Sequence, residues 1–84
     1  MTPTQVGTQP EAEQAKIATL TARERAVIRL VGEGLRNQQI AQRLALSETT
    51  VRRHLAAICR KLGVAERLDL ILYAYGHGLA KMPA

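Results

Sequence analysis

From Leu20 onward the hydrophobic positions recur at the three- and four-residue spacing that marks one face of a helix. In LTARERAVIRLVGEG, Thr21 and Glu24 form T-x-x-E, a pair in which each side chain satisfies the other's free backbone N–H, so a helix is predicted to start at Ala22. Val27, Leu30 and Val31 make its core stripe with Ile28 at the flank, and Gly34 stands where a left-handed residue would stop it. A second, short helix follows in QQIAQRLA, with Asn37 as its cap and Ile40, Ala41 and Leu44 on one side. Ala45 and Leu46 then lead straight to Ser47, the cap of a third helix that ends at Gly63. A fourth is predicted from about Arg67 to Tyr75 or His77.

Two short helices joined this tightly, the second opening at a Ser cap, make a helix-turn-helix unit. The third helix, within LSETTVRRHLAAICRKLG, divides cleanly when its residues are set about 100° apart. Val51, Leu55, Ile58 and Leu62 form a dry stripe, whereas Thr49, Arg52, Arg53, Ala56 and Arg60 fall together on the opposite side. The fourth helix differs, because LDLILYAY is apolar nearly all the way round and one small domain cannot bury both sides. With Leu70, Ile71 and Ala74 facing the core, Leu68, Leu72, Tyr73 and Gly76 point outward, and such a patch marks a partner surface. Residues 1–19, rich in Thr, Gln, Pro and Ala, read as a flexible tail or linker in which EAEQAKIA has room for a helical turn or two. The expected architecture is all-α: a four-helix helix-turn-helix domain over residues 20–79, with a C-terminal tail over 80–84.

Composition sharpens this picture. The chain has 84 residues, enough for one small domain, and is 46% hydrophobic without any Phe or Trp, so Leu, Ile, Val and Ala must build the core. Cys59 is the only cysteine and excludes an internal disulfide, which suits a cytoplasmic setting. No apolar run reaches the roughly 18 residues of a membrane span, and the N-terminus lacks the pattern of a secretion signal, so no membrane partner is expected. The net charge is +5, but residues 1–19 carry −1 (Glu11, Glu13, Lys16), leaving +6 for the remainder. Between Arg36 and Lys61 there are six bases and one acid, Glu48, a local surplus suited to a polyanion.

The candidate chemistry lies in that basic stretch. Arg52 and Arg53 each present a guanidinium fork that fits guanine O6 and N7 in the major groove, or a phosphate. Arg36, Arg43, Arg60 and Lys61 flank them as phosphate contacts that position without reading sequence. Thr49 and Thr50, beside the start of the third helix, add hydroxyls where backbone N–H groups and the helix dipole already favour anions. Glu24, on the buried side of the first helix, is expected to pair with Lys61 or Arg60. His54 and His77 have no Cys or carboxylate at ligand spacing, so no metal and no cofactor is expected, and Cys59, beside Ile58 and Leu62, reads as a packing residue. Tyr73 and Tyr75, the only aromatics, lie away from the basic face, which disfavours single-strand and RNA readers. There is no phosphate-cradling glycine loop or paired-carboxylate site, and a non-enzyme is expected.

The ordered series Leu-Thr-x-Arg-Glu, Asn-x-x-Ile-Ala, Ser-x-x-Thr-Val-Arg-x-His and Lys-Leu-Gly-Val-x-x-Arg, spread over Leu20 to about Leu79, resembles the LuxR-type (GerE-like) DNA-binding domain of bacterial response regulators and quorum-sensing regulators. The resemblance implies double-stranded DNA as partner, with the third helix in the major groove, Arg52, Arg53 and Ala56 at base edges and Thr50 with nearby bases on phosphates. It also implies a homodimer through the fourth helix, and RNA polymerase as a further partner at promoters. Three positions depart from the family pattern: Ala56, where a longer polar or basic residue is frequent; Glu66, a poorer cap than Asn or Ser; and Ala45, where Gly is frequent. Two alternatives stand beside this reading: a sigma-factor-like promoter-binding region, and a basic protein-interaction module.

Overall fold

The computed structural model describes residues 10–83, and these are helical without any strand. Five helices follow in order: α1 (Pro10–Ala18), α2 (Ala22–Gly32), α3 (Asn37–Leu44), α4 (Glu48–Leu62) and α5 (Arg67–Gly76). The four expected helices are α2 to α5. Within the tail expected over residues 1–19, α1 is an addition, while residues 1–9 lie outside the described ones. Nine residues are too few for a stable isolated helix. What holds α1 is tertiary: Ile17 is buried in the core, and Arg25 of α2 donates from Nη2 to the Ile17 carbonyl at 2.8 Å, satisfying a free group at the α1 C-terminus.

α2 occupies the centre, packed against α3, α4 and α5, while α4 packs against α1, α2 and α3. The core is purely aliphatic, drawn from Val27, Ile28, Leu30 and Val31 of α2, Ile40 and Ala41 of α3, Val51, Ile58 and Leu62 of α4, and Leu70 and Ala74 of α5. Ile28, expected at a flank, is fully buried because α2 is covered on more than one side. Each such Ile or Leu contributes roughly 1.5–3 kcal/mol by leaving water. The C-terminal segment also joins the core. Ala80, expected in a tail, is buried over Gly32, where a Cβ would collide with it, and the Tyr75 hydroxyl donates to the Gly32 carbonyl at 2.5 Å.

The helix ends explain the register. The Thr21–Glu24 capping box forms as expected, with Glu24 N donating to Thr21 Oγ1 at 3.0 Å and Thr21 N to Glu24 Oε1 at 2.9 Å. Gly34 takes φ 91° just beyond α2. At α3 the cap is Arg36, not Asn37: the Arg36 N–H is satisfied by Gln39 Oε1 at 2.8 Å, and Asn37 becomes the first helical residue. Glu66 makes no side-chain cap to α5.

The turn between α3 and α4 runs through Ala45 at φ 57° and ψ 45°, the one non-glycine with positive φ among the described residues. A Cβ in this region costs about 1–2 kcal/mol, which glycine avoids while losing part of the gain to its freer unfolded chain. Ala45→Gly is therefore expected to stabilise the domain by about 0.5–1 kcal/mol, read as a rise of a few degrees in thermal melting. An unchanged or lower melting temperature would contradict it.

Candidate nucleic-acid interface

α4 is started by Ser47, whose Oγ accepts from the Thr50 N–H at 3.0 Å and donates to Thr50 Oγ1 at 2.9 Å. The Thr50 hydroxyl thus accepts from the cap and keeps its own proton for an outside acceptor, at a helix N-terminus whose dipole favours anions. Along the helix, Val51 and Ile58 are fully buried and Leu62 nearly so, with Leu55 half-buried, which fixes the opposite side outward. Thr49, Arg52, Arg53, Ala56 and Arg60 are all exposed, so the residues expected to share one face are brought together on solvent. Arg36, at the cap of α3, and Arg43, in its last turn, are also exposed, on the helix packed beside α4.

Arg52 is partly engaged. Its Nη1 lies 3.6 Å from Glu48 Oε2, and its Nη2 donates to Thr49 Oγ1 at 3.3 Å. With side chains 58% and 50% exposed, this ion pair is worth only a few tenths of a kcal/mol and yields readily to a stronger acceptor. Among the described residues Arg53 and Arg60 have no ion-pair partner.

Lys61 is engaged within the fold. Expected among the phosphate contacts, its ammonium is turned to α2, 2.7 Å from Glu24 Oε1 and 3.1 Å from the Thr19 carbonyl. This is the pair anticipated for Glu24, and it fastens the end of α4 to the start of α2. Burial works against ionising the Glu24 carboxyl, but Lys61 and the backbone N–H and hydroxyl of Thr21 outweigh it and leave the pKa lowered.

On α5, Leu68 and Leu72 are 62% and 59% exposed, and among the described residues nothing crowds Gly76. Tyr73, expected to point outward with them, is half-buried, donates its hydroxyl to Glu13 Oε1 of α1 at 2.7 Å and packs on the His77 ring with centroids 4.2 Å apart. Burial, reinforced by the Glu13 carboxylate, pushes the phenol up to about 12, while the bond from Tyr73 and then that from Lys16 hold Glu13 below its ordinary value.

Cys59 is half-buried against the core, its thiol pushed up by burial and then by the charge of Asp69, which keeps it a protonated packing group. His54 is half-buried on α4. Among the described residues no group of His, Cys, Asp and Glu is arranged to hold a metal ion, and no helix is long and apolar enough to cross a membrane. Sequence reasoning missed two ties between elements: Arg23, donating from Nη1 to the Leu44 carbonyl at 3.3 Å, and Arg67, donating to Asn37 Oδ1 at 2.7 Å and to the Leu35 carbonyl at 2.8 Å. Both reach backbone or amide groups far along the chain, which no local spacing announces.

The GerE family, described as bacterial regulatory proteins of the luxR family, matches residues 18–74. A protein of Mycobacterium bovis named as an HTH-type transcriptional regulator is 51% identical over 53 residues, which cover 63% of this chain and 6% of the relative. A Mycobacterium tuberculosis protein of the same description matches with the same identity and coverage, and a second from another strain is 49% identical over 53 residues, again 63% of this chain and 6% of the relative. The chain therefore spans about 6% of the length of the curated relatives it matches. With the family match covering α2 to α4 and most of α5, the chain belongs to the luxR family of bacterial regulatory proteins.

Proposed function

We propose that this chain is the sequence-specific, double-stranded DNA-binding part of a bacterial transcription regulator, with α4 as the helix that enters the major groove. The observation that carries the reading is the exposed face of α4, where Arg52, Arg53, Ala56 and Arg60 stand opposite buried Val51, Ile58 and Leu62. A helix about 10–12 Å across fits a groove about 12 Å wide, and α4 is long enough, at about 22 Å, to cross it. Arg52 and Arg53 offer forks to base edges and Ala56 a methyl contact. Thr49, Thr50, Arg36, Arg43 and Arg60 hold phosphates, and Lys61 serves the fold instead. The family membership and the names of the mycobacterial relatives support regulation of transcription.

In this reading two copies pair through Leu68, Leu72, Tyr73 and Gly76 of α5 and present their α4 helices to half-sites about one helical turn apart. The work is recognition, needs neither metal nor cofactor, and takes place at the bacterial chromosome in the cytoplasm, with RNA polymerase as a neighbour at the promoter.

Arg52→Ala tests it. On a duplex selected from a random pool by the unaltered chain, the substitution is expected to weaken binding by about 1–3 kcal/mol and to relax one base position in a repeat selection. Equal loss on every sequence would make Arg52 a phosphate contact. No loss at all would remove α4 from the interface.

A further inference from the structure

α5 joins the reading unit through the shared core and through α2. α3 and α4 pack on each other, and α5 packs mainly on α2. Between α5 and the loop leading into α3 lies an open groove of about 390 Å³, lined by Val31, Leu35, Asn37, Arg67 and Ile71 among others. The groove is open to solvent, and apolar packing does not close it across to the start of α3.

Hydrogen bonds do. Arg67, the first residue of α5, spans the groove with its guanidinium fork, Nη1 donating to Asn37 Oδ1 at 2.7 Å and Nη2 to the Leu35 carbonyl at 2.8 Å. A planar fork held at two points fixes direction as well as distance, which a single ammonium does not. Both acceptors are placed for this purpose. Leu35 lies between α2 and α3, outside either helical ladder. Asn37 is released from capping because Arg36 takes the cap position and Gln39 satisfies it, leaving the Asn37 amide oxygen to face Arg67.

We propose that Arg67 is a positioning residue for DNA binding: its fork locks α5 to the start of α3, so that pairing of two α5 helices fixes the separation and angle of the two α4 helices. The inference rests on the proposed reading of α4 and α5. Arg67 need not touch DNA. Its contribution is to the advantage of two half-sites over one, and to the spacing between them.

The test compares the full chain with Arg67→Ala, Arg67→Lys and Asn37→Ala on three duplexes drawn from a random-pool selection: one half-site, two half-sites at the selected spacing, and two half-sites with one base pair inserted. Arg67→Ala is expected to keep one-half-site affinity within about twofold of the unaltered chain, and to lose about tenfold of the two-half-site advantage, a factor typical of coupling between sites. It is also expected to tolerate the inserted base pair better. Arg67→Lys, which keeps charge but not the fork, and Asn37→Ala, which removes one of two acceptors, should fall between and guard against a folding defect in Arg67→Ala. If the unaltered chain gains from the second half-site and Arg67→Ala gains equally, or if Arg67→Ala loses one-half-site affinity to the same degree, this inference is overturned and the reading of α4 stands. If the unaltered chain gains nothing from a second half-site, the dimer reading and this inference both fail.

Discussion

Lys61→Met is expected to lower the stability of the domain by about 3 kcal/mol, more than Glu24→Gln lowers it, although the two residues share one ion pair. Glu24 is 5% exposed, whereas the Lys61 side chain is 32% exposed. Removing the lysine strands a buried carboxylate, while removing the acid leaves an ammonium that reaches water and keeps the Thr19 carbonyl. Glu24→Gln also retains an acceptor for the Thr21 N–H, so its cost is expected nearer 1–2 kcal/mol. For a domain of this size each kcal/mol moves the melting temperature by about 4–8 °C, which separates the variants. Neither change touches the exposed face of α4, and DNA binding by the folded fraction is expected to remain.

The pH dependence carries a sign. In the unaltered chain the folded pKa of Glu24 lies below its ordinary value of 4.5, so its contribution is fully present above that value and is lost as pH falls through the lower, folded one. In Lys61→Met only the Thr21 N–H and hydroxyl still oppose burial, so the folded pKa moves up from its place in the unaltered chain and protonation relieves part of the defect. The stability gap between the two proteins is therefore expected to narrow below about pH 4.5. A gap that is absent at neutral pH, or that widens in acid, would contradict the account of this pair.

The second large effect concerns α5. Leu72→Asp is expected to weaken self-association at least a hundredfold, measured by sedimentation with and without duplex DNA. In a symmetric pair the same leucine is lost from both sides, at roughly 1.5 kcal/mol or more each, and two carboxylates are set near one another. Because Leu72 is 59% exposed in the single chain, the monomer's own stability should change by no more than about 0.5 kcal/mol. That contrast separates an interface residue from a core one. Unaltered association would remove α5 as the contact.

α2 and α4 were legible because each begins with a recognisable cap and carries an aliphatic stripe of one period, α3 from its stripe alone, and α5 as an apolar run between Gly63 and Gly76. The exposed face of α4 was legible for the same reason: once Val51, Ile58 and Leu62 go inward, Arg52, Arg53 and Arg60 have nowhere to go but out. What escaped is tertiary. α1 has the composition of a linker, and the burial of Ile17, the reach of Arg25 to its carbonyl and the bond from Tyr73 to Glu13 make it part of the domain. Asn37 reads as a cap by residue type, yet its oxygen serves Arg67, thirty residues on. For Lys61 the sequence offered two uses, phosphate contact and partner of Glu24, and the fold shows the second. Tyr73 belongs to the outer side of α5 by angle, and is half covered because α1, absent from the periodic pattern, supplies Glu13.

The most direct measurement is a two-dimensional amide NMR titration of the chain with a random-sequence duplex, repeated as salt is raised. The account predicts shifts centred on Thr49 to Arg60 that fade with salt, since non-specific affinity comes from displaced counterions. Shifts absent there, or confined to α5, would mean that the arginines of α4 are a solvated face and that the basic surface serves a protein partner instead.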